Sequence, residues 1–159
     1  MDQINFKKSF YFQYYSNLIS SDHDFIEQII NLDREHFPWP WTLQNWQNLD
    51  GYSIAVCIDK STNTHIGFVL FLMTNHSDTA HLLKIVVHPS MRNQQIGFQL
   101  LHFSNKNLPK FIQSIFLEVE ATNSFAIKMY EKFGFQEINR IKNYYSNGSP
   151  AIIFSFERD

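Results

Sequence analysis

The junction at residues 86–101, with the sequence VVHPSMRNQQIGFQLL, joins an apolar strand-like run to a helix-like run through a polar turn. The first backbone N–H groups of a helix have no partners within the helix, and the macrodipole adds partial positive charge there. Such an end binds anions, and phosphate or pyrophosphate fits it best. Arg92 adds a fixed positive charge, and we expect Gly97 to let a ligand approach closely. An ordinary strand-to-helix turn is the alternative, because the chain contains neither usual glycine-rich phosphate motif.

Two carboxylates, Glu118 and Glu120, lie at the end of another apolar strand-like run. Being two residues apart, they should point to the same face of a strand. A strand-end glutamate can take a proton from a substrate amine, directly or through water. The alternative is a solvent-facing carboxylate without a chemical role, which we favour for Glu120.

The hydrophobic pattern predicts seven strands and four helices along the chain. The strands are expected at Phe10–Asn17, at 51–59, 65–75, 80–88 and 114–121, and as two strands within 136–158 around an Asn147-Gly148 turn. The helices are expected at 20–37, 43–49, 95–108 and 123–133.

Local signals mark the ends of several helices. Ser21 and Asp24 resemble a capping pair for the first helix, and the prolines of the PWPW segment at 38–41 must stop it by Phe37. Thr42 can cap the short second helix. Gly134 is typical of the residue that follows a helix.

The predicted order is β-α-α-β-β-β-α-β-α-β-β. Strand, helix and strand between residues 80 and 120 form a crossover, so these two strands should be parallel neighbours, while the flanking hairpins are antiparallel. We therefore predict a single α/β (α+β) domain over residues 1–159 with a mixed, mostly antiparallel seven-stranded sheet flanked by helices. Ligands settle at the carboxyl ends of such parallel strands. Those ends are Val87-His88 and Glu118–Glu120.

The composition excludes several classes of protein. The formal charge of −2 argues against binding to nucleic acid through phosphate neutralisation. No apolar run approaches the length of a membrane span, and the N-terminus lacks the apolar core of a signal peptide. The single cysteine, Cys57, excludes an internal disulfide and is expected to be a core thiol. These features predict a soluble, cytoplasmic protein.

The first motif resembles the acetyl-CoA loop of the GNAT N-acetyltransferases. Val87-x-Pro89-x-x-Arg92-x-x-Gln95-x-Gly97 follows that family's Arg/Gln-x-x-Gly-x-Gly/Ala pattern, except that Gln95 replaces the first glycine. If residue 95 needs a positive φ, glutamine costs about 1–2 kcal/mol, against about 8 kcal/mol for micromolar binding. Binding of CoA would then weaken about tenfold, and it would be unaffected if the backbone there is helical.

A second segment, LEVEATNSFAIKMYEKFGF at 117–135, matches the family's Asn-x-x-Ala-x-x-x-Tyr-x-x-x-Gly-Phe pattern through Asn123, Ala126, Tyr130 and Gly134-Phe135. Each residue alone has a structural explanation as a cap, a core tyrosine or a helix end. Together with PWT at 40–42, NYY at 143–145 and AII at 151–153, the segment is similar to the RimI branch of the family, the ribosomal-protein-alanine N-acetyltransferases.

The resemblance implies roles for individual residues. Glu118 would be the general base and Tyr130 the acid that protonates the CoA thiolate, while the Val87 amide would bind the oxyanion. The strand residues Ile85 to Val87 would hydrogen-bond the pantetheine arm through their backbone. The predicted CoA-binding residues are Ile85, Val86, Val87, Arg92, Asn93, Gln94, Gln95, Ile96, Gly97, Asn123 and Tyr130.

The acceptor side is predicted from the same branch. Tyr144 and Tyr145 should end the sixth strand and, with Trp41 and Glu120, form the wall of the site against which the acceptor peptide binds. Packing in the core is the alternative explanation for the aromatic residues. Trp46 is expected to pack. The seven histidines show no metal-binding spacing and are expected mostly at the surface or in turns, so we assign no metal.

The features and the resemblance together predict an enzyme that moves an acetyl group from acetyl-CoA to a protein N-terminal α-amine. The expected acceptor is an alanine-starting ribosomal protein. Acetylation of a small amine or a lysine side chain is one alternative. A non-catalytic acyl-CoA-binding domain is another. We expect a monomer without nucleic-acid or membrane partners.

Overall fold

The computed structural model describes residues 9–16, 23–74 and 77–159. Its seven strands are β1 Phe10–Tyr15, β2 Tyr52–Asp59, β3 His65–Met73, β4 Thr79–Val87, β5 Ser114–Glu120, β6 Gln136–Ile141 and β7 Ala151–Glu157. Its three α-helices are α1 His23–His36, α2 Ile96–Asn107 and α3 Ser124–Phe133. The predicted mixed α/β class and element order are confirmed. None of the described helices is long and apolar enough to cross a membrane.

The strands form one sheet in the order β1-β2-β3-β4-β5-β7-β6. Neighbouring strands are antiparallel except β4 and β5, which are parallel as predicted. Their pairing runs only from Thr79↔Ser114 to His81↔Phe116, although both strands continue. Beyond His81 the two strands separate and leave a gap in the middle of the sheet.

A bulge in β4 accompanies this separation. Phe71 pairs with Leu82 and Leu70 pairs with Lys84, so Leu83 is an extra residue without a partner on β3. Such a residue bends its strand and increases the local twist. The bulge also resets the alternation of side chains, so that Leu82 and Ile85 face the same side of the sheet.

Each face of the sheet has its own core. Helices α2 and α3 cover one face, where Leu100 and Tyr130 pack with Leu117 and Val119 of β5. Helix α1 covers the other face around Phe68. Since side chains alternate along a strand, Glu118 and Glu120 lie on the α1 face. The prediction that they point the same way is confirmed.

Local end signals account for several elements. The Asn123 side chain accepts from the Ala126 N–H at 3.1 Å at the start of α3, and Gly134 ends that helix with φ +118°. Helix α1 ends at His36, before the prolines, as predicted. The proposed Ser21 cap and the end of the first strand at Asn17 lie outside the described residues.

Two predicted elements differ from the structure. The second helix is a single 3₁₀ turn, Asn45–Gln47, although Thr42 Oγ1 does accept from the Asn45 N–H at 3.4 Å. Strand β6 ends at Ile141, so Tyr144 and Tyr145 lie in the loop 142–150 and not in a strand. Asn143, with φ +51°, interrupts the extended backbone there.

The predicted Asn147-Gly148 turn exists, but it is part of that loop. The Gly148 N–H donates to the Tyr145 carbonyl at 2.8 Å, and Gly148 has φ +83°. The strands themselves meet at Ile141↔Ala151, so a longer loop stands where we predicted a tight hairpin.

Candidate active site

A cavity of about 840 Å³ occupies the gap between β4 and β5. Its lining includes Ile85 and Val119, which face α2 and α3, and also Lys84 and Glu118, which face α1. The cavity therefore passes through the sheet from one face to the other. The cavity lies at the carboxyl ends of these two strands, where we predicted the site.

The two ends of the cavity differ in their lining. We call the end lined by residues 92, 93 and 95–98 and by Lys128 and Lys132 of α3 the loop end. We call the end lined by residues 36–39, Glu118, Glu120 and Tyr145 the aromatic end.

The edge of β4 offers free backbone groups to the cavity. The His88 N–H donates to the Ile66 carbonyl at 2.8 Å and so faces β3. Because backbone groups point alternately to the two sides of a strand, those of Val87 and Ile85 face the gap. The backbone of Val86 pairs with Phe68 of β3, so only its side chain is left to line the cavity, contrary to the expected backbone role.

The loop end is shaped by two left-handed residues. Asn93 has φ +61° and Gln95 has φ +60°, so the glycine-type position of the motif does adopt a positive φ in this chain. Helix α2 begins at Ile96, immediately after Gln95. Its first N–H groups therefore open onto the cavity, which suits an anion.

Arg92 and Gly97 fix the geometry of this loop. Arg92 Nε donates to the Val87 carbonyl at 3.1 Å, which ties the loop to the end of β4. A Cβ atom at Gly97 would lie 3.2 Å from Met129 Sδ and 3.7 Å from Ile85 and Val87 side-chain atoms. The space beside Gly97 is thus partly taken by Met129, so the residue allows close packing of α2 on α3 more than approach of a ligand.

Two lysines add positive charge to the loop end. Lys128 and Lys132, four residues apart on α3, both line the cavity. Sequence reasoning missed them, although their spacing places them on one face of the helix that follows the motif. With Arg92, they make this end cationic.

Tyr130, on helix α3, lines the cavity. It is 4% exposed and packs against Phe135, with ring centroids 5.5 Å apart. Burial, and secondarily Tyr145, raises the pKa of the Tyr130 phenol above its ordinary value. Tyr130 therefore keeps its proton at neutral pH. Asn123 also lines the cavity, and its side-chain oxygen is already used in capping α3.

Glu118 has a partner that the sequence did not indicate. His81 Nε2 lies 2.5 Å from Glu118 Oε2, and the imidazole stacks on Phe116 with centroids 4.1 Å apart. His81 is thus a strand residue next to the site, unlike the surface or turn position expected of most histidines. Glu120 accepts from Asn147 Nδ2 at 2.8 Å, and this hydrogen bond lowers the pKa of its carboxyl.

A buried ion pair supports the aromatic end. Lys84 Nζ donates to Asp33 Oδ1 at 2.8 Å and to the Trp39 carbonyl at 3.0 Å, and both charged side chains are 1% exposed. Asp33 Oδ2 accepts from the Trp41 N–H at 2.8 Å and from Trp46 Nε1 at 3.2 Å. Burial lowers the pKa of Lys84, and the hydrogen bond to Asp33 opposes this effect. We call these five residues the Asp33 network.

The aromatic wall is formed by a different tryptophan from the predicted one. Trp39 lines the cavity and stacks on Tyr145, with centroids 5.3 Å apart and an interplanar angle of 18°. Trp41 packs against Trp46 and does not line the cavity, because its backbone N–H is bound to Asp33. Tyr144 packs beside Tyr145 outside the lining and is 47% exposed.

The remaining predicted residues are placed as follows. Gln94 is the one predicted CoA-binding residue outside the cavity lining. Cys57 is fully buried in the core of the α2 face, and burial raises its pKa to about 12. Within the described residues, no group of three histidine, cysteine or acidic side chains could hold a metal ion.

A through-sheet cavity with free strand amides, a cationic helix start and a carboxylate at its far end is suited to transfer of an acyl group. The chain matches the Acetyltransferase (GNAT) family over residues 21–135, more than half of its length, and it belongs to that family. It is therefore an acyltransferase.

Relatives and solved structures agree with this assignment. The chain is 26% identical to an N-alpha-acetyltransferase of Sulfurisphaera tokodaii over 146 residues, 82% of this chain and 86% of that one. It is 38% identical to the [ribosomal protein bS18]-alanine N-acetyltransferase of Escherichia coli strain K12 over 69 residues, 43% of this chain and 47% of that one. The predicted resemblance to this branch is confirmed.

Two solved structures share the fold. The E. coli ribosomal-protein-S18-alanine N-acetyltransferase superposes with a TM-score of 0.79 at 24% identity, covering 94% of this chain and 95% of that one. Arabidopsis thaliana NAA60 in complex with acetyl-CoA gives a TM-score of 0.77 at 19% identity, covering 94% and 98%.

Proposed function

We propose that the protein acetylates the free α-amine of a protein N-terminus. The observation that carries the proposal is the continuity of the cavity. One space joins the free strand backbone and cationic helix start of the loop end to a partly exposed carboxylate, Glu118, at the aromatic end. A thioester held along β4 would thus meet an amine that enters from the α1 face.

The loop end would hold acetyl-CoA. The backbone groups of Ile85 would bind the pantetheine arm, in the manner of an added strand, which leaves the Val87 N–H for the oxyanion. The N–H groups of the 92–97 loop and the start of α2 would bind the pyrophosphate. Arg92, Lys128 and Lys132 line the cavity and would neutralise phosphate charge.

The acceptor chemistry favours an α-amine. An α-amine has an ordinary pKa near 8, whereas that of lysine is near 10.4, so a modest base can free the α-amine at neutral pH. Glu118 would take the amine proton, directly or through water, as the nitrogen attacks the thioester carbonyl. The Val87 amide would stabilise the oxyanion. As the C–S bond breaks, Tyr130 would protonate the departing thiolate and recover its proton from solvent.

We further propose an alanine-starting ribosomal protein as the natural acceptor. The E. coli relative that acts on ribosomal protein bS18 supports this choice over part of the chain. The stacked rings of Trp39 and Tyr145 line the aromatic end, where they would favour a small first side chain.

A mass-spectrometric assay with acetyl-CoA and three short peptides tests the proposal. One peptide has a free N-terminal alanine, the second a free N-terminal methionine, and the third a blocked N-terminus with an internal lysine. We expect one acetyl group on the alanine peptide alone. The E118Q variant, loaded with the same acetyl-CoA, is the control for enzyme-dependent transfer.

The other outcomes separate the alternatives. Acetylation of the lysine peptide alone would contradict an α-amine acceptor and indicate a lysine acetyltransferase. No product on any peptide, with CoA still bound, would favour a small-amine acceptor or a non-catalytic acyl-CoA-binding domain. Acetylation of the methionine peptide alone would overturn the alanine preference.

Three further expectations accompany the proposal. The protein would act as a monomer, as one domain over residues 1–159, and in the cytoplasm. The single cysteine suits a reducing compartment. Sedimentation of the purified chain with and without CoA would test the monomer.

A further inference from the structure

We infer that His81 is a positioning residue for Glu118, holding that carboxylate toward the cavity. The inference rests on the proposed function, in which Glu118 receives the proton of the amine. It assigns to His81 a part in the reaction that neither the motifs nor the family match supplies.

The geometry of the pair is the first support. His81 Nε2 and Glu118 Oε2 are 2.5 Å apart, and the two side chains are 23% and 21% exposed. The imidazole stacks on Phe116 at an interplanar angle of 17°. The ring is thus fixed by a neighbour on β5, and its nitrogen is directed at a carboxylate on the same strand.

The position of His81 in the sheet is the second support. His81↔Phe116 is the last pair of the parallel ladder before β4 and β5 separate. Glu118 lies two residues beyond Phe116, on the same face of β5, at the edge of the opening. Beyond His81 the backbone of β4 does not pair with that of β5, so no β4 residue lies opposite Glu118 in the ladder. The contact between β4 and Glu118 is made by the imidazole of His81.

The nearby cation is already engaged. Lys84 lies on the same face of β4, but its Nζ donates to Asp33 Oδ1 and to the Trp39 carbonyl. The Asp33 network therefore holds Lys84 on its own partners. The hydrogen bond to Glu118 is therefore made by His81 and not by Lys84.

The chemistry of the two groups sets the direction of the hydrogen bond. An ionised carboxylate accepts hydrogen bonds and donates none, so His81 Nε2 must carry the proton and donate it to Oε2. The other oxygen, Oε1, stays available to accept the proton of the amine. Removing the donor would let the carboxylate rotate away, and small displacements of a reacting group are costly in rate.

The test compares two substitutions at residue 81. In H81Q the side-chain amide can still donate near the position of Nε2, whereas in H81L it cannot. We expect H81L to lower kcat for the alanine peptide about tenfold, with the KM for acetyl-CoA unchanged, and H81Q to stay within about threefold of the wild type. In an E118Q background, H81L should cause no further loss, because its effect passes through Glu118. The exposed, distant His23→Leu is the matched control.

Several results would overturn the inference. These are an H81L enzyme with unchanged kcat, an H81Q enzyme as slow as H81L, or equal losses from H81L in the wild-type and E118Q backgrounds. A rise in the KM for acetyl-CoA or a fall in the melting temperature that parallels the loss of kcat would indicate a structural role.

If the wild-type enzyme acetylated none of the peptides, that result would contradict the proposed acceptor and not the role of His81. An NMR measurement tests the role of His81 in that case. The imidazole ¹⁵N shifts of His81 should show a proton on Nε2 and should change on E118Q. Shifts that are insensitive to E118Q would show that the pair does not form and would overturn the inference.

Discussion

The two ends of the cavity are built by different means. The loop end comes from one continuous stretch, residues 85–98, and from α3, and it binds largely through backbone groups. The aromatic end comes from side chains far apart in sequence, such as Asp33, Lys84, Glu118 and Tyr145. The first depends on local conformation, and the second depends on the correct assembly of the whole sheet.

The energetics of the two ends differ accordingly. In the Asp33 network one buried carboxylate accepts hydrogen bonds from Lys84 of β4, from the backbone of Trp41 and from Trp46 of the 3₁₀ turn. Removing one member of a buried pair leaves an unpaired charge. At the loop end, the charged groups are exposed and each contributes little. We therefore expect changes at the aromatic end to affect folding and turnover, and changes at the loop end to affect CoA affinity.

The largest effect is expected from Asp33→Ala. It leaves Lys84 charged and buried without its carboxylate, so the free energy of unfolding should fall by about 3–5 kcal/mol. Urea denaturation followed by circular dichroism measures this change. Asp50→Ala removes an exposed carboxylate and should stay within about 0.5 kcal/mol of the wild type. Equal losses in both variants would contradict the special role of the network.

Glu118→Gln and Tyr130→Phe should come next. Each removes one proton-transfer group with little or no change in side-chain size, so kcat should fall at least about tenfold. Because the loop end is untouched, the dissociation constant of CoA measured by calorimetry should stay the same. Loss of CoA affinity in either variant would show that the residue belongs to cofactor binding.

The pH dependence sharpens the assignment of Tyr130. Burial raises the pKa of this phenol, so it stays protonated to beyond its ordinary titration range near pH 10. A general acid in this state should cause no loss of kcat at mildly alkaline pH. A fall in wild-type kcat near pH 8 that disappears in Tyr130→Phe would contradict this expectation.

The contrast between the ends also explains what the sequence allowed us to predict. Strands, helices and the parallel pair follow from hydrophobic periods, caps and the crossover rule, which are local signals. The loop end was predictable for the same reason. The separation of β4 from β5 was not, since the bulge at Leu83 lies in the apolar run HLLKIVV, where no alternation marks an extra residue.

The aromatic end was largely missed because its contacts are long-range. His81 meets Glu118 and Asp33 meets Lys84 only once the sheet has formed, and neither pair has a characteristic spacing. One signal was present, since Lys84 is a charged residue inside an apolar strand and needs a buried partner. Trp39 was not among the predicted residues, and Trp41 lies outside the cavity lining, because a PWPW segment does not show which ring faces the cavity.

A smaller effect is expected from removing the cationic side chains of α3. The double variant K128A/K132A should raise the dissociation constant of CoA about three- to tenfold, because exposed charges contribute about 0.2–1 kcal/mol each. Calorimetry at two salt concentrations should show a larger difference at low salt. K106A/K110A removes two exposed lysines outside the cavity lining and should leave CoA affinity unchanged.

The smallest effect concerns the left-handed residue of the loop. Gln95 has φ +60°, a conformation that costs a non-glycine residue about 1–2 kcal/mol. Replacing Gln95 by glycine would remove this strain, but glycine also makes the unfolded chain more flexible, which offsets about 0.4–1 kcal/mol of the stabilisation. Gln95→Gly should therefore raise the free energy of unfolding by about 0.5 to 1 kcal/mol, as measured by urea denaturation. Gln94→Gly, one residue earlier and not left-handed, receives no relief of strain and should lower the free energy of unfolding. If both glycine variants were destabilised equally, glutamine would be unstrained at position 95, and the loop end would owe its shape to contacts beyond the local backbone.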